Sequence, residues 1–296
     1  MAKVAVVTGA NKGIGYHIAR NLCRDLPAAS TVYVGSRDAA RGEAAVAKLR
    51  GEGFAGAELL QLDITDGGSV AAAAATLRKA HPDGVDILVN NAGFAFKNGV
   101  WATLSPRRLP LPHQLPATLA AAPESPGVQA KETLRVNYYG TLQTCEALLP
   151  LLRPNGRVVN VGSMAGGMSS WSSELRAEFL EPSLDVPRLS ALCERFIADA
   201  EAGDHEAKGW PGTTYGMSKA AVHALTRIHA AQMKSAGNGI TVNVCCPGWC
   251  KSDMAGWERP PKSAEEGADT PTWLALQEGE GAPTGLFFSD REQRGW

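Results

Sequence analysis

The run Thr8-Gly9-Ala10-Asn11-Lys12-Gly13-Ile14-Gly15 constrains this chain more than any other. It ends a short β-branched apolar stretch, residues 3–8, and opens a helical stretch from Ile14 to about Leu26. Glycines at such a junction permit a tight turn and let backbone N–H groups approach a pyrophosphate. The helix N-terminus adds partial positive charge at the same point. The spacing is G-x-x-x-G-x-G, not the common G-x-G-x-x-G, and taken alone it also fits an ordinary strand-to-helix turn. Its place after the first strand favours a dinucleotide. Gly9, Asn11, Lys12, Gly13, Ile14 and Gly15 are therefore candidate cofactor residues.

Strand and helix signals alternate beyond this turn. Apolar strand runs fall at residues 31–34, 59–62, 86–90, 157–161, 240–244 and 286–288. Helical stretches fall at residues 39–49 and 70–80. Short, wholly apolar strands separated by helices indicate βαβ units whose sheet is covered on both faces. The expected fold is α/β, a Rossmann-type doubly wound parallel sheet of about seven strands. The 296 residues read as one domain. Two segments break the rhythm. Residues 101–127 are rich in proline and read as a long loop or short helical pieces, bordering the active site or simply decorating the surface. Residues 171–209 are helical in character, with Leu175, Phe179, Leu189, Leu192, Phe196 and Ile197 at helical intervals.

The end of the second strand selects among dinucleotides. A carboxylate there would bind the adenosine ribose hydroxyls of NAD. This chain has Gly35-Ser36-Arg37 instead, and a guanidinium pairs well with a 2′-phosphate. Lys12 and Arg41 add positive charge, although all three also suit a solvated surface. The expected cofactor is NADP(H). Asp38 reads as a helix N-cap. Asp63, after the third strand, reads either as an adenine ligand or as another cap.

Tyr215 and Lys219 lie four residues apart, on one face of a helix. A neighbouring ammonium would lower a phenol's pKa and suit it to proton transfer at a carbonyl oxygen. Ser163 follows the strand at residues 157–161, at the carboxyl end where ligands bind in a doubly wound sheet. Asn137 stands mid-helix, where Asn is mildly unfavourable and suggests a functional or bending role.

Taken in order, TGANKGIG, Asn90-Asn91-Ala92-Gly93, the Asn137 helix, VNVGS, YGMSK and CCPGW resemble the short-chain dehydrogenase/reductase family over essentially the whole chain. The resemblance implies Tyr215 as proton donor, Ser163 as the substrate-orienting hydroxyl, and Lys219 as partner of both Tyr215 and the nicotinamide ribose. It implies that Asn137 holds a water leading from Lys219 to solvent. It also places Ile64, Asn90, Ala92, Gly93, Val161, Pro247, Gly248, Cys250 and Ser252 beside the cofactor. The long stretch before Tyr215, Lys208-Gly209-Trp210-Pro211, Ser252-Asp253-Met254-Ala255-Gly256 and the final Trp296 are similar to the family's monomeric carbonyl reductases. That subgroup implies NADPH, a small carbonyl substrate (ketone, aldehyde or quinone) and a monomer. The segment at 171–209 would cover the helix face that other members bury between subunits, unless it forms a new interface. Trp249 and Met254 are candidates for the substrate wall, with core packing an equal reading of Trp249. Cys250 and Ser252 depart from the family's usual Val or Ile and Thr. A secondary-alcohol or hydroxysteroid dehydrogenase would use the same residues. A silent NADP(H)-binding sensor would not need the whole set of Asn137, Ser163, Tyr215 and Lys219.

Other classes are disfavoured. Lys and Arg total 29 against 30 Asp and Glu, so no basic excess points to nucleic acid or an acidic membrane. Six cysteines suggest neither a disulfide framework nor a zinc pattern. The N-terminal residues show no apolar signal core, and a cytoplasmic protein is expected. His17, His81, His113, His205, His223 and His229 have no partner pattern and receive no catalytic role.

Overall fold

The computed structural model describes residues 1–96, 124–279 and 281–296. Most of the proline-rich stretch expected at 101–127 lies outside the described residues. Its last residues already belong to a helix, because Ser125 caps the N-terminus and Pro126 occupies the first turn.

Strands β1 (Val4–Val7), β2 (Thr31–Ser36), β3 (Ala57–Gln61) and β4 (Val85–Asn90) form the first half of the sheet. Strands β5 (Leu152–Val161), β6 (Thr241–Cys246), β7 (Phe287–Ser289) and β8 (Glu292–Arg294) form the second. Their order is β3-β2-β1-β4-β5-β6-β7-β8. The first seven strands pair in parallel, and β8 returns antiparallel along β7. That short, exposed return strand has no apolar periodicity by which a sequence could announce it.

Helices α1 (Gly13–Asp25), α2 (Ala39–Gly51) and α3 (Gly67–Ala80) link the first four strands. Asp38 accepts from Arg41 N at 3.0 Å, so the expected N-cap of α2 is present. Alternate residues of each strand feed opposite faces. Ala5 and Val7 pack with Ile18, Leu22, Val46 and Leu49 of α1 and α2. Val4 and Val6 pack with Val70 and Leu77 of α3. Helices cover both faces, so most strand positions are apolar rather than alternating.

Next come α4 (Pro126–Leu134), a π-helical turn at Arg135–Tyr139, and α5 (Gly140–Leu148). The helical segment at 171–209 contains two helices, α6 (Ser173–Leu180) and α7 (Val186–Ala202). Glu181-Pro182 separates them, where a proline has no N–H to continue a ladder. Both pack on α4 and on α8 (Thr214–Ala236), forming a third apolar cluster. Trp171, Phe179 and Trp210 meet edge to face at its centre, with Trp171 and Phe179 4.9 Å apart. Arg227 of α8 donates to Phe179 O at 2.9 Å, fastening the insertion to that helix. The short helix α9 (Ala264–Gly267) packs on α1, and beside it α10 (Asp269–Ala275) packs on β4, β5 and β6.

Candidate active site

The sheet order reverses between β1 and β4, which opens a crevice beyond their carboxyl ends. The glycine turn lies there, with Gly9 at φ +62° and Gly13 at φ +58°, in the left-handed region where a side chain is strained. Thr8 and Asn91 hold the turn in place. Thr8 Oγ1 accepts from the N–H groups of Asn91 and Ala92, each at 3.0 Å. Asn91 Nδ2 donates to Thr8 O at 3.0 Å and Gly9 O at 3.2 Å. Asn90, expected beside the cofactor, turns its side chain into the core, where it donates to Asn160 Oδ1 at 2.8 Å. The neighbouring Asn91 was not singled out from the sequence, since two adjacent asparagines look alike there.

The chemical residues gather beyond β5. Ser163 hydrogen-bonds Tyr215. Thr213 caps α8, accepting from Gly216 N at 3.1 Å, so Tyr215 emerges in the first helical turn. Lys219 follows one turn later, 4% exposed. Its ammonium donates to Val161 O at 2.7 Å and lies 5.6 Å from the centre of the Tyr215 ring. The structure thus brings Ser163, Val161, Tyr215 and Lys219 together.

Asn137 sits in the π-helical turn, a local irregularity common at functional sites. Its Oδ1 accepts from Phe94 N at 2.7 Å, and its Nδ2 donates to Phe94 O at 2.9 Å and Ser218 Oγ at 2.9 Å. The side chain therefore staples the loop after β4 to α8. Gly93 lies in that loop, where an added Cβ would stand 3.6 Å from Lys219 Nζ.

Electrostatics modify one expectation. Burial pushes the Tyr215 hydroxyl well above its ordinary range, Cys246 adds to the rise, and the Ser163 hydrogen bond opposes it. Lys219 does not reverse this. Burial lowers its own ammonium from 10.5 to about 8, and its nearest hydrogen bond goes to a carbonyl. At neutral pH the phenol keeps its proton, which is the form a proton donor needs.

The charged end of the crevice is exposed. Arg37 and Arg41 both face solvent, and Arg41 pairs with Asp38 at 3.4 Å. Asp63 Oδ1 accepts from Thr65 N at 2.9 Å and from Thr65 Oγ1 at 2.8 Å, so this carboxylate acts as a turn cap. Burial alone would raise its pKa, but the Thr65 bonds and the nearby Arg37 hold it below the usual value. Ile64 is buried, and Gln143 Nε2 donates to its carbonyl. Asn11 and Ile14 are partly exposed in the turn, and Gly15 is buried beneath it.

A loop after β6 faces the glycine turn, and Lys12 forms an ion pair with Asp253 across the gap. Within this loop Cys250 bridges to Lys262, and Ser252 bridges to Gly256. Gly248 has φ +85°, and its N–H donates to Cys246 Sγ at 3.4 Å. The Cys250 thiol is 3% exposed, donates to Pro247 O at 3.3 Å, and is pushed up to about 11 by burial. It is a packed thiol rather than a reactive one. Trp249 is 41% exposed, which excludes the core-packing reading, and Met254 is partly exposed. Among the described residues, no helix is long and apolar enough to cross a membrane. No group of three or more His, Cys, Asp or Glu among them gathers where a metal could be held.

A half-buried phenol, a buried ammonium and a hydroxyl meet at one end of a glycine-lined crevice, while Lys12 in the glycine turn and Arg37 and Arg41 after β2 are exposed cations. Such an arrangement can hold a long anionic ligand and move a proton at its far end. The family model described as short chain dehydrogenase matches residues 3–174 and 201–262. The unmatched span between them, residues 175–200, contains most of α6 and α7. "Carbonyl reductase [NADPH] 1" of Pongo abelii is 41% identical over 299 residues, covering 99% of this chain and 98% of that protein. The Homo sapiens protein of the same name is 40% identical over the same shares. The solved structure of salutaridine reductase from Papaver somniferum has a TM-score of 0.80 and 31% identity, covering 97% of this chain and 99% of that one. Menthone neomenthol reductase from Mentha piperita has a TM-score of 0.77 and 30% identity, covering 99% and 100%. The chain belongs to the short-chain dehydrogenase family.

Proposed function

We propose that this protein is an NADPH-dependent carbonyl reductase that acts on ketones, aldehydes or quinones, with Tyr215 as proton donor. The observation that carries the reading is the meeting of Tyr215 with Ser163, one turn from a Lys219 anchored on the Val161 carbonyl. The names of the similar carbonyl reductases support NADPH and a small carbonyl substrate. The residues fit this cofactor. The positive-φ glycines Gly9 and Gly13 let backbone N–H groups approach a pyrophosphate. Arg37, Arg41 and Lys12 supply positive charge for a 2′-phosphate.

When bound, NADPH supplies the hydride. The protein's own residues do the rest. Ser163 orients the carbonyl oxygen, and Tyr215 donates its proton to that oxygen. The Lys219 ammonium stabilises the phenolate left behind and holds the nicotinamide ribose. Asn137 keeps the Gly93–Phe94 loop registered against α8. The loop residues Pro247, Gly248, Cys250 and Ser252 would hold the nicotinamide end, and Trp249 with Met254 would form an apolar wall for substrate. We further propose that the protein is a cytoplasmic monomer, since α6 and α7 occupy the apolar faces of α4 and α8.

Tyr215→Phe tests the assignment. NADPH consumption across a panel of ketones, aldehydes and quinones should disappear, while NADPH binding, followed by fluorescence, should persist. Retained turnover would overturn the role of Tyr215.

A further inference from the structure

We propose that His223 is a positioning residue that holds the Ser163 turn at the height Tyr215 requires. The proposal rests on the functional reading above for the role of Ser163.

His223 lies on α8 one turn beyond Lys219 and is 3% exposed. On the β5 side, the last strand-type bond runs from Gly162 N to Cys245 O at 2.8 Å. The next N–H, that of Ser163, leaves the ladder and donates to His223 Nε2 at 3.5 Å. The ring also touches the turn on both sides of the serine. A Cβ on Gly162 would stand 2.6 Å from His223 Nε2, and one on Gly166 would stand 3.0 Å from His223 Cε1. Glycine at both positions is what lets the imidazole press against the turn.

The far side of the ring is braced. Its centre lies 4.5 Å from the Phe287 ring of β7 and 5.6 Å from that of Trp296. Phe287 and Trp296 stack on each other at 6.1 Å. The imidazole is thus a wedge between an aromatic wall and the serine turn. Burial, reinforced by the Lys219 ammonium, lowers its pKa to about 3, so Nε2 keeps its lone pair at working pH. The bond from Ser163 N assigns the neutral tautomer with the proton on Nδ1. Without this acceptor the Ser163 peptide loses its anchor. Its hydroxyl then drifts from Tyr215, while the glycine turn after β1 keeps its own bonds to Thr8 and Asn91.

Two substitutions separate anchoring from packing. His223→Gln keeps an amide oxygen near the Nε2 position, and His223→Leu keeps comparable volume without an acceptor. His223→Leu is expected to lower kcat for carbonyl reduction about tenfold, with the substrate KM changed less than threefold and NADPH affinity unchanged. His223→Gln should restore most of kcat. In a Ser163→Ala background, His223→Leu should cost little more, because its effect passes through Ser163. Equal losses in the Gln and Leu variants, or full additivity with Ser163→Ala, would overturn the proposal. If His223→Leu fails to fold, His223→Gln and the wild-type tautomer still decide it. Nitrogen-15 NMR of the wild-type protein should show an unprotonated Nε2 near neutral pH, and a proton there would refute the anchor. That spectrum needs no turnover, so it stays informative if the wild-type protein reduces no carbonyl and the functional reading itself falls.

Discussion

Lys219→Met should change the stability of this protein in a manner that depends on pH. Lys219 is 4% exposed, and burial lowers its ammonium from 10.5 to about 8. Between those values the unfolded chain carries a proton that the folded chain has released. Stability therefore rises with pH across this window. Below about pH 8 the buried charge destabilises the fold by roughly 3 kcal/mol, and most of that is relieved by about pH 10. Methionine carries no such penalty. It does leave Val161 O without its 2.7 Å donor, at a cost of about 1–3 kcal/mol that does not vary with pH. The two effects separate when the wild-type and variant unfolding free energies are compared at about pH 7 and about pH 10. Denaturant titrations would provide them. The wild type should gain about 2–3 kcal/mol on the variant over that interval. Placing Tyr215→Phe in both proteins removes the coupled titration of the phenol. A difference that stays flat with pH would refute the argument that burial, rather than its bonds, governs this ammonium. The same substitution should abolish carbonyl reduction, so the residue central to the chemistry is one that the fold tolerates at a cost.

Two further outcomes follow from the crevice. Arg37→Asp should raise the Kd for NADPH by tens to hundreds of fold, about 2–3 kcal/mol, while changing that for NADH far less. Equal effects in paired titrations would remove Arg37 from the 2′-phosphate site. Asn91→Ala deletes two bonds to the glycine turn, at 3.0 and 3.2 Å, and should lower unfolding free energy by about 1–2 kcal/mol and weaken NADPH binding. Unchanged cofactor affinity in that variant would show that the turn holds its shape without Asn91.

Much of this architecture is legible in the sequence because it depends on local pattern. Apolar strands such as Val4–Val7 and the Ile87-Leu88-Val89 stretch of β4 point to a sheet covered on both faces, and the glycines at Gly9 and Gly13 announce a turn that needs positive φ. The four-residue interval from Tyr215 to Lys219 gives their shared helix face. What local pattern cannot give is which way a side chain points once strands pair. Asn90 and Asn91 are identical in kind, yet the register that sets Asn90 opposite Asn160 sends one inward and frees the other for the turn. Burial is equally nonlocal. The spacing suggests that Lys219 lowers the Tyr215 pKa, but burial raises the phenol and lowers the ammonium. His223 shows no partner pattern in the sequence for the same reason, since Ser163 and Phe287, which it meets, lie about sixty residues away on either side. The strand β8 is too short and too exposed to carry any periodic signal.

The aromatic insertion formed by α6 and α7 has a thermodynamic consequence for α8. The surface against which this helix rests is tethered to it through the same chain, by Trp210 on one side and the Arg227 bond to Phe179 on the other. The local concentration of that support is fixed by chain length rather than by how much protein is in solution. Dilution cannot remove it. The share of α8's support that comes from α6 and α7 is accordingly independent of protein concentration, where support from another subunit would vary with it.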